Sequence, residues 1–216
     1  MQASGVFDVQ SHTRSHAKIF CDAAVSGFVM PGPAGDPLDL PLDSVNGSIH
    51  FLEPDALGTP LYLRRSRMSD ARRYLPDEAT ADRCRQFVAR NGGAAFFEKP
   101  GWQTELERVA QGNGRFETDD EREAAIEDEI SQGRALLSAG LQTTGVRHVA
   151  LPWGIAGEVT RRALRDSACV TAFAERPLRR RGVRAGDDRY GLMRLNGKFL
   201  TCLPGRGRQW FFTAVR

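Results

Sequence analysis

Apolar side chains recur at helical spacing in the middle of the chain, where they predict two short helices. Cys84, Phe87 and Val88 fall on one face of the first, and Asn91-Gly92-Gly93 tolerates the left-handed backbone at which helices end. After Pro100, apolar residues repeat at positions i, i+4 and i+7, which predicts a second amphipathic helix. Its apolar residues are Trp102, Leu106 and Val109.

The best-marked helix begins after Thr118. Thr118-Asp119-Asp120-Glu121 forms a capping box, in which the hydroxyl satisfies one backbone N–H and Glu121 reaches back to another. We expect the helix to end at Gly140. Its apolar face comprises Ile126, Ile130, Leu137 and Leu141.

Strands and a further helix are predicted near both ends of the chain. Residues 6–10 alternate between apolar and polar side chains and predict a strand. Residues 147–151, 155–166 and 170–174 predict a strand, a helix and a strand, and this β–α–β alternation is typical of parallel sheets or barrels. The side chains of this helix that we expect to point inward are Ile155, Val159 and Leu164.

Two other segments are rich in turn residues. Residues 27–59 contain many Pro, Gly and Asp residues, so we expect loops and short turns there. Residues 190–195 and 198–203 predict short strands, joined as a hairpin by Asn196-Gly197.

Composition places the chain among ordinary globular proteins. Its 216 residues, 41% hydrophobic and 26% charged, suffice for one large domain or one domain with a sizeable insertion. No apolar run reaches the roughly 18 residues that a membrane span needs, and no secretory signal is visible. We therefore expect a cytoplasmic protein without membrane contacts. The four cysteines are scattered, which predicts free thiols.

The formal charge is only +3, yet arginines occur in clusters. Such runs usually form a solvated face, and the alternative is attraction to anionic glycans or phosphates, because guanidinium groups bind those oxygens in pairs. Nucleic acid is a weaker expectation because aromatic and basic residues are not interleaved. The clusters are Arg64-Arg65, Arg72-Arg73, Arg161-Arg162 and Arg179-Arg180-Arg181.

Two short motifs indicate metal-assisted hydrolysis. His12 and His16 lie four residues apart, directly after a predicted strand, and neutral imidazoles are common ligands of divalent cations. Thr13 and Ser15 offer hydroxyls to orient the rings. Residues 151–154 (Leu-Pro-Trp-Gly) join a predicted strand to a helix, where an open turn presents N–H groups to a developing negative charge.

These motifs resemble those of the polysaccharide deacetylases, the NodB-type carbohydrate esterases. His12-Thr13-Arg14-Ser15-His16 fits their H-[ST]-x-x-H motif, and residues 121–174 follow their order of helix, strand, P-[YW]-G turn, helix and strand. The resemblance implies an α/β fold, here an incomplete distorted (β/α) barrel of NodB type with a largely helical and loop insertion. It also implies a hydrolase that removes acetyl groups from N-acetylated sugars.

The resemblance assigns roles to five residues. His12 and His16 match the histidines that hold zinc or another divalent cation together with an aspartate. The backbone N–H of Trp153 matches the position that stabilises the oxyanion, with its indole beside the sugar, and Pro152 and Gly154 fix the turn.

The chain also departs from the family. The T-F-D-D motif, which carries the catalytic base and the metal aspartate, is absent, so the catalytic base is unknown. Asp8 is a poor substitute, and Ala150 stands where an arginine often precedes the turn. No late L-x-H motif occurs. We interpret His148 as structural and assign no role to His50.

The resemblance divides the chain into residues 1–23 and 118–216, a partial deacetylase-like barrel, and residues 24–117, an inserted lid or substrate wall. A barrel without its first strands exposes sheet edges, which favours self-association. Carbohydrate is the expected partner, and we expect impaired hydrolysis. The alternative hypothesis is a non-catalytic remnant of the fold that binds a glycan or a protein partner.

Overall fold

The computed structural model describes residues 8–32, 42–45, 48–53, 56–174 and 183–194, and the following statements concern these residues alone. The strands are β1 (Lys18–Phe28), β2 (Leu42–Val45), β3 (Ser48–Phe51), β4 (Pro60–Ser66), β5 (Tyr74–Leu75), β6 (Arg115–Phe116), β7 (His148–Ala150), β8 (Thr171–Ala174) and β9 (Leu192–Met193). The α-helices are α1 (Glu78–Arg90), α2 (Trp102–Val109), α3 (Asp119–Leu141) and α4 (Glu158–Asp166). Short 3₁₀ helices cover Arg67–Ser69, Gly93–Glu98 and Pro152–Gly154.

A small parallel sheet carries the later part of the chain. Its strands lie in the order β7-β8-β9, both pairs are parallel, and Ser11 adds a parallel bridge to Val149. The other sheets are antiparallel pairs: β1 with β4, β2 with β3, and β5 with β6. The fold is mixed α/β, as predicted, and across the described residues these sheets do not close into a barrel.

The predicted helices are confirmed, with small differences at their ends. The capping box at Thr118 is formed in both directions. Helix α3 does not end at Gly140 but runs to Leu141, because Gln142 takes the left-handed conformation that terminates it. The expectation for Ile155 is wrong: it precedes α4 and is exposed, whereas Leu164 is fully buried.

The strand predictions are confirmed in part. The strands predicted at 147–151 and 170–174 correspond to β7 and β8, and β9 lies within the predicted 190–195 strand. Residues 8–10 are not a strand, and residues 6 and 7 lie outside the described part of the chain. The Asn196-Gly197 turn and the second hairpin strand also lie outside it.

The region from residue 24 to 117 is not composed only of helices and loops. It holds β2–β6, α1 and α2, and the boundary between residues 23 and 24 falls inside β1. Strand β1 was not predicted, because register shifts around Val25 break the alternation of buried and exposed side chains.

Two hydrophobic clusters form the main core. One lies under α3, α4 and the parallel sheet and includes Ile126, Val149 and Leu164. Met68, which belongs to the 24–117 region, is buried in this same cluster. The second cluster joins α1 and α2 around Phe96, Leu106 and Phe28.

Candidate functional site

The predicted site residues lie beside the carboxyl end of strand β7. Ser11 pairs with β7, so His12 leaves the sheet beside Ala150, the last residue of β7. The Pro152–Gly154 helix begins shortly after the same strand. Because the carboxyl ends of parallel strands meet at one edge of a sheet, distant parts of the sequence are brought together there.

The structure places His12, His16 and Trp153 in one cluster. The ring centroids of His12 and His16 are 4.8 Å apart, and those of His16 and Trp153 are 4.1 Å apart with the rings edge to face. Both imidazoles are half-buried. The sequence motifs therefore identify residues that do lie side by side.

The tautomer of His12 is fixed by the backbone. Its Nδ1 lies 2.5 Å from the carbonyl oxygen of Ala150, which can only accept a hydrogen bond. Nδ1–H must therefore be the donor, and in the neutral ring the lone pair is on Nε2. This is the arrangement in which backbone carbonyls commonly orient a metal-binding histidine.

His16 is held as a neutral base. Burial, the neighbouring His12, and the cations Arg194 and Lys18 together lower the pKa of His16 below its ordinary value of 6.5. Its Nδ1 is buried and has no hydrogen-bond partner among the described residues. An uncharged imidazole with one available lone pair suits a ligand or proton acceptor.

Three non-glycine residues in and beside the cluster have left-handed backbone. The φ angles are 66° at Thr13, 56° at His16 and 51° at Trp153. Such conformations cost on the order of 1–3 kcal/mol each and persist where the surroundings enforce them. Gly154 follows with φ 68°, so this turn needs the glycine that the sequence supplies.

Glu129 of α3 enforces the conformation of residues 12–16, here called the histidine loop. Its Oε2 accepts from the backbone N–H of Arg14 at 3.1 Å and of Ser15 at 3.0 Å, and its Oε1 accepts from the Ser15 hydroxyl. The Arg14 N–H also donates to the Glu129 carbonyl at 3.0 Å. Glu129 is buried, so these hydrogen bonds satisfy a carboxylate that water does not reach.

Gly133, one turn further along α3, lets the loop approach the helix. A Cβ at this position would lie 2.6 Å from the carbonyl carbon of Thr13 and 2.7 Å from the nitrogen of Arg14. The histidine loop thus packs backbone to backbone against α3.

The expected roles of the two loop hydroxyls are wrong. The Ser15 hydroxyl bonds to Glu129 rather than to an imidazole. The Thr13 hydroxyl is buried with no hydrogen-bond partner in the described part of the chain. The Ala150 carbonyl orients the His12 ring instead.

Two cations beside the cluster were missed at the sequence level. The Lys18 ammonium lies 4.9 Å from the centre of the Trp153 ring. Arg194 follows β9, and its Nη1 donates to the Leu151 carbonyl at 3.3 Å. The predicted strand over residues 190–195 included Arg194 and gave no sign that its side chain reaches the tryptophan turn.

Residues of the 24–117 region fix the start of α4, the helix that follows the turn at Trp153. The Asp70 carboxylate accepts from the N–H groups of Val159 and Thr160 at the start of α4, at 2.7 and 3.0 Å. The carboxylate occupies the space where a Cβ on Gly157 would lie. The Met68 carbonyl accepts from the Gly157 N–H and the Thr160 hydroxyl.

The remaining histidines and Asp8 lie apart from this arrangement. His148 Nδ1 is 2.6 Å from the Thr171 hydroxyl, across the β7–β8 pair, and His50 is exposed on β3. Asp8 accepts a hydrogen bond from Gln10. Within the ranges that the structure describes, no group of three His, Cys, Asp or Glu residues is placed to hold a metal ion.

Several clustered arginines are engaged in ion pairs with acidic residues. Arg161 pairs with Glu158 at 3.2 Å, and Arg162 pairs with Glu123 across to α3. The Arg72 guanidinium donates to the Glu117 carbonyl. These arginines therefore belong to a solvated, partly neutralised surface.

Comparison of the chain with known protein families, with curated proteins and with solved structures finds no match. None of the described helices has the length and apolar character that crossing a membrane requires.

Proposed function

We propose that the chain contains a divalent-metal site of the kind found in polysaccharide deacetylases, hydrolases that remove acetyl groups from N-acetylated sugars, and that its own hydrolysis is impaired because the catalytic aspartates of that family are absent from the sequence. The observation that carries the proposal is the convergence of His12, His16 and Trp153 at the ends of parallel strands. We further propose that β7–β9 form part of a distorted (β/α) barrel of that type.

The two neighbouring imidazoles are the proposed ligands of the cation, and in His12 the nitrogen available to it is Nε2. His12 has its Nδ1 bound to a backbone carbonyl, which directs Nε2 away from the sheet residue Ala150, and His16 is uncharged at neutral pH. Zinc or another divalent ion, when bound, polarises the acetyl carbonyl and activates a water molecule. The described residues supply two ligands for it, and we do not assign a third.

Trp153 supplies the part of the site that contacts sugar. Its indole is half-buried, and we propose that its exposed part lies beside the sugar. The left-handed turn of Trp153 and Gly154 orients the backbone N–H proposed to stabilise the oxyanion of the tetrahedral intermediate. Buried Pro152 anchors this turn to the core.

We expect weak metal binding and little hydrolysis by this chain. Two neutral ligands leave the coordination shell of a zinc ion incomplete. Lys18 and Arg194 add positive charge beside His16, which opposes a cation. We assign no catalytic base among the described residues.

The test compares the wild-type chain with His12→Ala, His16→Ala and the control His50→Ala, whose histidine is exposed elsewhere. We expect zinc titration to show one weak site that either site substitution abolishes and the control retains. Hydrolysis of an acetylated chito-oligosaccharide should stay near background. Unchanged zinc affinity in both site variants contradicts the metal site, and rapid hydrolysis contradicts the expected impairment.

The absence of a third ligand among the described residues favours one second candidate, a glycan-binding or partner-binding protein without catalysis. Zinc that remains stoichiometric after dialysis would favour the hydrolase. Glycan binding that survives both histidine substitutions, without zinc uptake, would favour the second candidate.

Two further expectations are also proposals. Cys21, Cys84 and Cys169 are free thiols, which supports a reducing, cytoplasmic location. Self-association through the exposed sheet edges of the incomplete barrel is open to test by sedimentation.

A further inference from the structure

A single short turn contacts both sides of the candidate site. It consists of residues 67–70, here called the 67–70 turn, and lies between β4 and β5. Its first N–H group, that of Arg67, donates to the carbonyl oxygen of Ala17, the residue after His16, at 3.0 Å. Its last residue bonds to the start of α4, the helix that follows Trp153. The two sides of the site are therefore joined through this turn.

Helix α4 depends on the 67–70 turn for its N-terminal cap. Gly157 occupies the N-cap position and has no side chain that could accept from the first N–H groups of the helix. Asp70 supplies the cap from a distant part of the chain, and its carboxylate oxygens accept from Val159 at 2.7 Å and Thr160 at 3.0 Å. The Met68 carbonyl oxygen accepts from the Gly157 N–H at 2.8 Å. A Cβ on Gly157 would lie 2.0–2.4 Å from the Asp70 carboxylate atoms, so the glycine makes room for this cap.

Trp153 lies in a segment that is held at both ends. At the preceding end, the Leu151 N–H donates to the carbonyl oxygen of Phe173 in β8 at 2.9 Å. At the following end, the start of α4 is held by Asp70. Between these anchors Trp153 has left-handed backbone with φ 51°, a conformation that costs on the order of 1–3 kcal/mol and persists only where the surroundings enforce it. The cap on α4 therefore helps to maintain the conformation that places the indole against His16.

We propose that Asp70 is a positioning residue, whose carboxylate sets the place of Trp153 against His16 by fixing the start of α4. The 24–117 region is then part of the frame of the site, besides the role as a lid or substrate wall that the sequence suggested. The consequence for sugar binding rests on the proposed function, because that function assigns the sugar contact to Trp153. Asp70 acts on this sugar side, whereas Glu129 holds the histidine loop on the metal side.

The experiment follows the contact between the two rings in the full chain by NMR, through nuclear Overhauser effects between ring protons of His16 and Trp153. The ring centroids are 4.1 Å apart, so these effects should be strong in the wild type. Asp70→Gly removes the carboxylate and keeps a residue that tolerates the left-handed backbone at this position, where φ is 64°. We expect the effects between the rings to be lost or greatly weakened. Affinity for an N-acetylglucosamine hexasaccharide should fall about two- to tenfold, because the indole is no longer held in place before binding.

Asp77→Gly is the matched control. Asp77 caps α1 in the same way, accepting from the Ala79 N–H at 3.1 Å, and α1 belongs to the second hydrophobic cluster. This variant should keep the contact between the two rings, and so should Asp70→Asn, which retains a side-chain acceptor for the cap. Gly157→Ala tests the same link if Asp70→Gly does not fold. Its added Cβ meets the carboxylate in the wild type and should weaken the ring contact there, but it should have no further effect in the Asp70→Gly background.

A ring contact that persists unchanged in both Asp70→Gly and Gly157→Ala overturns the inference. An equal loss in Asp77→Gly overturns it as well, because general stability would then explain the effect. Zinc titration separates this inference from the proposed function. Asp70→Gly should bind zinc as the wild type does, since other residues hold the histidines, and a parallel loss of zinc affinity overturns the assignment of Asp70 to the sugar side. Wild-type zinc affinity that His12→Ala leaves unchanged contradicts the metal site and not the positioning role.

Discussion

Replacing Gly133 by alanine tests how the histidine loop is positioned. The added Cβ would lie 2.6–2.8 Å from three backbone atoms of Thr13 and Arg14, and backbone cannot move aside as the end of a flexible side chain can. The loop must therefore shift away from α3. His12 and His16 flank Thr13 and Arg14, so a shift of the loop should change the distance between the two imidazoles.

The size of the effect follows from two opposing contributions. Overpacking at a tight contact costs about 1–3 kcal/mol, and more where backbone must move, whereas alanine in a helix gains about 0.5–1 kcal/mol over glycine. The net result should be a loss of roughly 1–2 kcal/mol, which lowers the melting temperature by about 2–8 °C in a protein of this size. Zinc affinity should fall at least about tenfold, because ligand geometry is lost.

Gly140→Ala is the matched control in the same helix. Nothing lies within 4 Å of a Cβ at Gly140, so only the gain in helix propensity applies. This variant should melt about 1–3 °C higher and bind zinc as the wild type does. Thermal denaturation and zinc titration of both variants provide the measurement. If Gly133→Ala were as stable as Gly140→Ala and kept full zinc affinity, the close packing of the loop on α3 would be refuted.

Four further predictions concern carboxylates. Glu129→Gln should lower stability by about 1–3 kcal/mol, since hydrogen bonds to a charged group weaken, and should also weaken zinc binding. Glu117→Gln breaks the buried ion pair with Arg67 (2.6 Å). It should lower stability by about 3–5 kcal/mol and leave zinc affinity unchanged. If both variants lowered zinc affinity equally, Glu129 would act only through general stability. The pKa of Glu121 should be about 2, because Arg115 and the Thr118 backbone hydrogen-bond its charged form. The contribution of Glu121 to stability is therefore complete above pH 4.5 and is lost as the pH falls towards 2. A carboxyl ¹³C titration with a midpoint near 4.5 would contradict this. Asp70→Ala should leave the N–H groups of Val159 and Thr160 without their cap. The free energy of unfolding, measured by chemical denaturation, should fall by about 1–2 kcal/mol. A fall of less than a few tenths of a kcal/mol would show that the cap is dispensable.

Features governed by local sequence were the ones that could be predicted. The capping box at Thr118 and the helices α1, α2 and α4 depend on neighbours within a few residues, and the structure contains them. The convergence of His12 and His16 with Trp153 was also accessible, because each motif was predicted to follow a strand and the ends of parallel strands share one edge. Residues 8–10 form no strand, but Ser11 still makes a parallel bridge to Val149 of β7.

Features that depend on distant contacts were missed. Strand β1 has bulges that break the two-residue period, so its pattern does not resemble a strand. The positions of Lys18 and Arg194 beside Trp153 depend on three separate elements, and nothing within either residue's own segment indicates them. The division of the chain after residue 23 assumed a separate insertion, whereas Met68 is buried in the core under the parallel sheet.

The sequence did contain one signal for Glu129 and Gly133 that was not used. Both fall on the apolar face of α3, three and seven residues after Ile126, where an acidic residue and a glycine are out of place. A buried carboxylate needs partners, and a glycine on a packed face indicates close approach of backbone. Together they predict a loop docked on the helix at that point.

The most direct test of the central claim is ¹⁵N NMR of the imidazole nitrogens during a zinc titration. Without metal, His12 should appear as the Nδ1–H tautomer, because its Nδ1 donates to Ala150. Added zinc should shift Nε2 of His12 and a ring nitrogen of His16 together, while His148 and His50 stay unchanged. Zinc that shifts neither ring, or shifts His50 in place of them, would contradict a metal site formed by these two histidines.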